Sequence, residues 1–277
     1  MEFQSQSRAK ILVYVILGFA AFFILYPLVL MLLNSLKTNF EIFLNPIGLP
    51  ENPNWGVFAK VWAAANLGRA IFNSLLISLG TVLSVCTVTS MAAWVVARRS
   101  VPGWFLISLY FLVTTTIPIQ MYIFPLYFVM GWLGLINQPL AVIYIYTAIF
   151  TPFALFLLRT YIVEIPVELE EAARIDGASE SQIFFRVILP LIKPGLITVA
   201  LITGLSAWNE FLIAVTFLQT GEAATATARF YQLIGRFSSN WPEQMAIAAI
   251  IAVPVVVFFV ILQRRFIEGV SSGAVKG

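Results

Sequence analysis

Residues 170–190 read Glu-Glu-Ala-Ala-Arg-Ile-Asp-Gly-Ala-Ser-Glu-Ser-Gln-Ile-Phe-Phe-Arg-Val-Ile-Leu-Pro, and this stretch carries six charged side chains within 17 positions. Only 10% of the chain is charged, and long uncharged runs lie on both sides of the block. Because charged side chains are costly inside a bilayer, we do not expect this segment to face lipid. We interpret it as a docking surface on the cytoplasmic side of a membrane protein.

The composition places the chain among membrane proteins. Hydrophobic residues make up 60% of the 277 residues, whereas soluble domains carry about 45–50% apolar residues. The 16 basic residues are scattered, and the net charge is +3, so no basic stripe for nucleic acid is present. The chain has no histidine and a single cysteine, Cys86. We therefore predict no catalytic triad, no metal site and no cofactor on this chain.

The apolar runs predict an all-α integral membrane protein with one transmembrane domain over residues 1–277. A helix that crosses the hydrocarbon core needs about 20 apolar residues. Turn signals at 131–139 divide the longest uncharged run in two. The six predicted spans are residues 11–33, 70–97, 104–130, 140–158, 194–218 and 245–262. Proline residues predict kinks or local breaks in span three (Pro118 and Pro125) and in span one (Pro27).

The distribution of basic residues predicts the orientation. With the N-terminus inside, eleven Lys and Arg residues lie on the cytoplasmic side and five lie outside, as the positive-inside rule favours. Both termini are then cytoplasmic, and the charged block belongs to a cytoplasmic loop at about 164–193. The outside loops are about 34–69, 131–139 and 219–244.

Within the cytoplasmic loop, the pattern predicts two short helices joined by a turn. Pro166 suits the first turn of a helix, and Gly177 suits the position just past its end. Ser179 and Gln182 form a capping-box pattern that starts the second helix, from Glu180 to about residue 189. Pro190 then stops it. An ordinary amphipathic hairpin at the membrane surface remains the alternative interpretation.

The same residues resemble a known family. Glu171-Ala172-Ala173, then Gly177 after three residues and Val187-Ile188-Leu189-Pro190 after nine more, resemble the EAA loop of ABC importer permeases, with Val187 where the pattern has Ile. The longer run 165–178, the segment 208–211 (Trp-Asn-Glu-Phe) and the tail 268–277 are similar to the maltose-permease (MalG-like) branch of carbohydrate-uptake permeases.

This resemblance implies the type I ABC importer transmembrane fold and a permease subunit that forms half of a translocation pathway. The implied partners are a second permease subunit in a heterodimer, two ATPase subunits and an extracytoplasmic sugar-binding protein. The implied substrate is a di- or oligosaccharide, and the implied location is a bacterial or archaeal cytoplasmic membrane. ATP and Mg are then expected on the ATPase subunits, so the chain itself is not expected to be an enzyme.

The resemblance also assigns roles to residues of the loop. Glu171 is expected to meet a basic residue of the ATPase, Ala172 and Ala173 to form a close-contact face, and Gly177 to make the turn. The tail after Gly269 is expected to reach the ATPase dimer as well. The complete predicted coupling set is Glu170, Glu171, Ala172, Ala173, Asp176, Gly177, Leu189 and Pro190.

Span five contains the predicted substrate-pathway residues, which are Trp208, Asn209 and Glu210. A carboxylate at bilayer depth usually faces a cavity or a partner, and the neighbouring side chains offer hydrogen-bonding and stacking groups for a neutral sugar. The alternative is that Asn209 and Glu210 hold span five to a neighbouring helix or to the partner permease. Asn73, Gln120 and the threonine run 114–116 are weaker pathway candidates, because such residues more often make hydrogen bonds between helices.

Three further alternatives stay open. The outside loop 219–244 resembles the loop that such permeases direct toward the binding protein's cleft, although a plain connector also fits. The chain as a whole also suits an ion-coupled secondary carrier with Glu210 as the proton-coupling acid, or an ABC importer for glycerol-phosphate or polyols. The sequence contains no P-loop motif.

Overall fold

The computed structural model describes residues 2–98, 102–235 and 240–274, and side chains at positions 10, 12–98, 102–235, 240–261 and 263. The regular secondary structure of these residues is helical, and no β-strand occurs among them. The α-helices are α1 (Glu2–Ser35), α2 (Asn39–Leu44), α3 (Gly56–Ala64), α4 (Leu67–Ala97), α5 (Trp104–Thr114), α6 (Ile123–Trp132), α7 (Pro139–Val163), α8 (Glu168–Ile175), α9 (Glu180–Ile183), α10 (Leu189–Leu191), α11 (Lys193–Asn209), α12 (Leu212–Phe217), α13 (Ala226–Ile234) and α14 (Trp241–Ala274).

The chain divides into two compact units. The smaller unit comprises Met1–Leu67 and Phe230–Pro254, and the larger comprises Gly68–Arg229 and Val255–Gly277.

Within the smaller unit, α3 packs its apolar face on the start of α14. Val57 and Val61 form a buried cluster with Leu233, Ala246 and Ile247. Beside this cluster the Lys60 ammonium contacts the Glu243 carboxylate at 2.6 Å. The described apolar side chains of α1 are largely exposed between residues 12 and 32, and such a surface suits lipid or another apolar helix.

The core of the larger unit lies around α7. Tyr146 of α7 is fully buried, and it belongs to a cluster with Ile77 of α4 and Phe217 of α12. A second cluster joins the other end of α7 to α4 and to residues 164–193, here called the charged hairpin. It includes Leu158, Ala93 and further residues. α7 is therefore buried by neighbours along its length, which suits a central helix of a bundle.

Four helices are long and apolar enough to cross a membrane: Leu12–Ser35 within α1, α4, α7, and Trp241–Ile261 within α14. The segments Glu180–Leu191 and Lys193–Asn209 make a fifth if they count as one span bent by 73°. The all-helical prediction is confirmed for the described residues. The count of six spans and the side of each terminus stay predictions.

Span three is not the continuous helix 104–130 that the hydropathy predicts, because α5 and α6 are separate. Pro118 is extended (φ −63°, ψ 135°), and a short 3₁₀ turn follows at Ile119–Met121. Just before the break, the hydroxyls of the threonine run 114–116 donate to carbonyl oxygens three residues back, at 2.7–2.8 Å. The Leu112 and Val113 carbonyls also accept the amides of Thr115 and Thr116, so the hydroxyls add a second set of bonds to the last turn of α5.

The other two prolines do not break a helix. α1 continues through Pro27, so the predicted local break in span one does not occur. Pro125 is the third residue of α6, where a missing N–H removes no helical hydrogen bond. Of these three prolines, only Pro118 lies at a break between two helices.

Candidate functional site

The charged hairpin, residues 164–193, begins where α7 ends. The sequence suggested Pro166 for the first turn of this helix, whereas α8 begins at Glu168. The carbonyl oxygens of Pro166 and Val167 accept the first amide bonds. The first turn of α8 carries Glu168, Glu170 and Glu171. Carboxylates are favoured there because the first amides of a helix are unpaired and create a partial positive charge.

Gly177 ends α8 as predicted. Its φ is +81°, in the left-handed region that glycine adopts without a steric penalty. The Ala178 N–H donates to the Ala173 carbonyl at 2.9 Å, and the Gly177 N–H donates to the Arg174 carbonyl at 3.0 Å. This pair of bonds is the Schellman arrangement, which reverses the chain within two residues.

The second half of the hairpin starts with the predicted capping box. The Gln182 N–H donates to Ser179 Oγ, and the Ser179 N–H donates to Gln182 Oε1 at 2.8 Å. The predicted helix to about residue 189 is α-helical only over α9, and a π-helical turn at Phe184–Ile188 follows it. Pro190 lacks an N–H and its ring crowds the carbonyl four residues back, so a wider turn relieves that position.

One face of α8 is not covered by the rest of the described chain. Glu168, Glu171, Ala172 and Ile175 recur at the helical spacing and are all exposed, and Ile175 retains 86% of its surface. Asp176 and Gly177 continue this exposed surface, whereas Ala173 is half-buried. In the second half of the hairpin, Pro190 is exposed and Leu189 is half-buried.

Glu170 lies on the opposite face of α8 and is only 1% exposed. Its carboxylate accepts from Arg98 Nε at 2.7 Å and from Trp94 Nε1 at 3.2 Å, and it lies 3.5 Å from Arg174 Nη2. Glu170 is therefore not part of the exposed face that Glu171 and Ala172 form, and its place in the coupling set stays a prediction. Since helical residues are 100° apart, adjacent Glu170 and Glu171 point in different directions.

An exposed ion pair joins the two halves of the hairpin. Arg174 Nε and Nη2 donate to the two carboxylate oxygens of Glu180 at 2.7 and 3.1 Å. The hydrogen bond from Arg174 lowers the pKa of the Glu180 carboxyl, and the same bond raises the pKa of Arg174. Trp94, Arg98, Glu170, Arg174 and Glu180 together line a cleft of about 490 Å³.

In span five, the structure places Glu210 in a helix break. The Tyr146 hydroxyl donates to Glu210 Oε2 at 2.7 Å, and the N–H groups of Leu212 and Ile213 donate to its carboxylate at 2.9–3.2 Å. Glu210 thus caps α12 and ties span five to α7. The sequence left open whether Glu210 lines the pathway or holds span five to a neighbouring helix. The bond to Tyr146 of α7 agrees with the second interpretation.

The two residues before it have different surroundings. Trp208 is only 6% exposed, so its ring is covered by the protein, and its contact with a sugar stays a prediction. Asn209 is exposed, and its side-chain amide donates to the Leu205 carbonyl at 2.9 Å. The three predicted pathway residues therefore do not form one polar surface.

The sequence did not reveal how the start of loop 219–244 is anchored. Asn73 Nδ2 donates to the carbonyls of Glu222 and Ala224 at 2.7 and 3.1 Å, and the Ala226 N–H donates to Ser74 Oγ at 2.9 Å. The only available signal was the pair of adjacent polar residues, 73 and 74, in an apolar span. Asn73 is therefore an anchor for a backbone segment and not an open pathway group.

Some predicted features lie outside the described residues. They are Arg99, which helps to end span two, residues 236–239 of the loop 219–244, and the side chains of the tail after Gly269. Within the part of the chain that the structure does describe, no group of three or more His, Cys, Asp or Glu residues is arranged to hold a metal ion.

Comparisons with known proteins agree along most of the chain. The family model described as "Binding-protein-dependent transport system inner membrane component" matches residues 87–272. The diacetylchitobiose uptake system permease protein NgcG of Streptomyces coelicolor is 31% identical over 261 residues, covering 91% of this chain and 84% of that protein. The arabinooligosaccharides transport system permease protein AraQ of Halalkalibacterium halodurans is 33% identical over 264 residues and 94% of both chains.

A solved structure has the same fold. It is a crystal structure of a bacterial ABC transporter involved in the import of the acidic polysaccharide alginate. One of its chains superimposes with a TM-score of 0.80 at 22% identity, covering 95% of this chain and 98% of that chain.

Proposed function

The chain belongs to the family of binding-protein-dependent transport system inner membrane components, and we propose that it is a permease subunit of an ATP-driven importer of di- or oligosaccharides. The relatives named for diacetylchitobiose and arabinooligosaccharides support this substrate class. We place the chain in a bacterial or archaeal cytoplasmic membrane as half of a permease heterodimer. Its further partners are two ATPase subunits, which bind ATP and Mg, and an extracytoplasmic sugar-binding protein.

The observation that carries the proposal is the exposed face of α8. Glu171 and Ala172 present an acidic and a small side chain on the charged hairpin, and Ile175 adds an apolar side chain that is 86% exposed. An apolar residue exposed on a charged segment outside the spans gains free energy when a partner covers it. Alanine allows a close approach, and the carboxylate suits a basic side chain. These properties fit docking into a cleft of an ATPase subunit.

The packing of the hairpin supports a mechanical role. Behind the exposed face, Ile183, Phe184 and Ile188 are buried in one cluster with residues of α4 and α7. Close-packed interiors transmit displacement because they have little free volume. When ATP draws the two ATPase subunits together, the hairpin is moved with them, and its packed face carries that movement into the spans.

The rival functions have less support. In the carrier hypothesis Glu210 exchanges a proton, but this carboxylate already holds the N-terminus of α12 and the Tyr146 hydroxyl. Relatives named for oligosaccharides also favour sugars over glycerol-phosphate or polyols. Among the predicted pathway residues, exposed Asn209 is the one we retain as a candidate sugar contact.

The test is reconstitution of the complex in proteoliposomes with liganded binding protein. We expect Glu171→Gln and Ile175→Ala to weaken ATPase capture and to lower ligand-stimulated hydrolysis and transport together. Phe185→Ala is the matched control, since it removes another exposed apolar side chain of the hairpin outside α8. Undiminished sugar transport by the wild-type chain without any ATPase subunit would overturn the importer proposal.

A further inference from the structure

We propose that Glu170 is the positioning residue of a rigid joint that makes the hairpin and the end of α4 move as one body. The joint consists of Glu170, Arg98 and Trp94. This inference rests on the proposed function, because it concerns how movement of α8 reaches a membrane span. It assigns to Glu170 a task different from that of Glu171, the adjacent residue that faces the partner.

The joint connects three backbone segments through one guanidinium. Arg98 Nε donates to Glu170 Oε1 at 2.7 Å, while Arg98 Nη2 donates to the Ile165 carbonyl at 2.9 Å. The arginine therefore holds both the start of the hairpin and the first turn of α8. Two bonds in one plane restrict rotation and sliding, which a single flexible ammonium does not do.

Trp94 joins the second half of the hairpin to the same point. Its Nε1 donates to Glu170 Oε2 at 3.2 Å, and the centroid of its ring lies 5.6 Å from the centroid of the Phe184 ring. Phe184 is buried in the π-helical turn. The last turn of α4 thus contacts both halves of the hairpin, one through a carboxylate and one through an aromatic contact.

Burial makes this arrangement rigid. The Glu170 side chain is 2% exposed and the Arg98 side chain 14% exposed, whereas the Arg174–Glu180 pair is 41% and 62% exposed. A buried pair is fixed because separating it leaves a charge without water or partner, whereas an exposed pair exchanges readily with water. The apolar cluster behind the hairpin resists compression, and the buried ion pair adds directional bonds that fix the position of α8 on α4.

The first experiment measures coupling in the reconstituted complex, as sugar molecules transported per ATP hydrolysed by equal amounts of assembled protein. Glu170→Gln keeps the shape of the side chain and removes its charge. We expect this ratio to fall by about twofold to thirtyfold, the range of coupling changes from residues that touch no ligand. Glu180→Gln, which removes the exposed partner of Arg174, is the matched control and should leave the ratio unchanged.

A purely structural role predicts a different result. Transport and hydrolysis would then fall in proportion to the amount of assembled complex, and the ratio would equal that of the wild type, which would overturn the joint. If Glu170→Gln does not assemble, Arg98→Lys decides. It retains the charge but cannot hold Ile165 and Glu170 together, so we expect a reduced ratio, and an unchanged ratio would equally reject the proposal.

The second experiment observes the joint directly by pulsed electron resonance. Spin labels are placed at the exposed positions Met91 on α4 and Leu169 on α8, in a Cys86→Ser background, because Leu169 lies outside the exposed face of α8 that is proposed to dock. We expect one narrow distance distribution that is the same with and without trapped nucleotide, and a broadened one in Glu170→Gln. A wild-type distance that changes with nucleotide would show that the hairpin and α4 do not move together.

The two proposals fail in distinguishable ways. If the wild-type chain captures no ATPase subunit, the importer function fails and the coupling ratio has no meaning. If capture and coupled transport are intact in the wild type, but Glu170→Gln leaves both the ratio and the distance distribution unchanged, only the joint fails.

Discussion

The charged hairpin and the break in span five both contain acidic residues with candidate roles, and the structure uses these residues in opposite ways. In the hairpin, Glu171 is exposed on a face with no contact to the rest of the described chain that would explain its charge, while adjacent Glu170 is buried. In span five, the Glu210 carboxylate accepts hydrogen bonds from the Tyr146 hydroxyl and from the Leu212 amide at the start of α12. The comparison teaches that an unusual position of an acid in the sequence does not separate a recognition role from a structural one.

The difference has a physical origin. Outside the membrane, water solvates a free carboxylate, so an exposed acid costs little and stays available to a partner. At bilayer depth, a carboxylate without partners is expensive, and the unpaired amides of a broken helix are equally in need of an acceptor. The helix break beside Glu210 leaves the first amides of α12 unpaired, and these amides donate to its carboxylate.

The largest expected effect tests the structural role of Glu210. Glu210→Ala leaves the Tyr146 hydroxyl and the first amides of α12 without an acceptor, so we expect a loss of about 3 kcal/mol in stability. The measurement is the thermal unfolding midpoint in detergent. Asn209→Ala is the control and should change the midpoint little. If Glu210→Ala is as stable as the wild type and has lost only transport, the structural role of Glu210 is wrong. Glu210 is then again a candidate pathway residue.

The next effect concerns the anchored start of loop 219–244. Asn73→Ala removes the donor to two backbone carbonyls, those of Glu222 and Ala224, and we expect a loss of about 2 kcal/mol. Hydrogen exchange of residues 222–228 should become faster, because this segment loses its attachment to α4. Thr216→Ala, whose hydroxyl bonds only within its own helix, provides the control. Unchanged exchange in Asn73→Ala would mean that Ser74 and packing suffice.

Variants of Gly177 test whether the left-handed backbone at this residue is needed for the structure of the hairpin. Gly177→Val places a β-branched side chain at φ +81°, which costs about 1–2 kcal/mol in the left-handed region. We expect weaker ATPase capture, because the exposed face of α8 is no longer held against the second half of the hairpin. Gly177→Asn tolerates this region better and should retain most of the capture. Equal loss in both variants would point to contact by residue 177 and not to its backbone.

The smallest effect is expected at the exposed ion pair. Glu180→Gln should shift the unfolding midpoint at neutral pH by less than about 2 °C, since exposed pairs contribute little. The folded pKa of Glu180 is depressed below its usual 4.5, so the pair's contribution is present above that value and is lost as pH falls through the folded pKa. Midpoints of wild type and variant should therefore converge in acid. A difference that grows in acid would contradict this sign.

How much was predictable differs between particular residues. The end of α8 at Gly177 and the capping box of Ser179 with Gln182 were correct from sequence, because their bonds join residues at most five positions apart. The break near Pro118 was indicated, although hydropathy alone drew span three as one helix. The contacts of Glu170 with Arg98 and of Asn73 with Glu222 were not predictable, since 72 and 149 positions separate the partners.

By itself, the sequence determined a helical membrane protein, the hairpin with its caps and turn, and the resemblance of its charged block to an EAA loop. These features follow from hydropathy, local backbone geometry and short-range hydrogen bonds, all of which reside in contiguous residues. Only the tertiary structure decided that Glu171 faces outward while Glu170 clamps α8 to α4, and that Glu210 caps a helix. The reason is that burial and pairing of a charge depend on which distant segments surround it, and in this chain those segments are brought together only by helix packing.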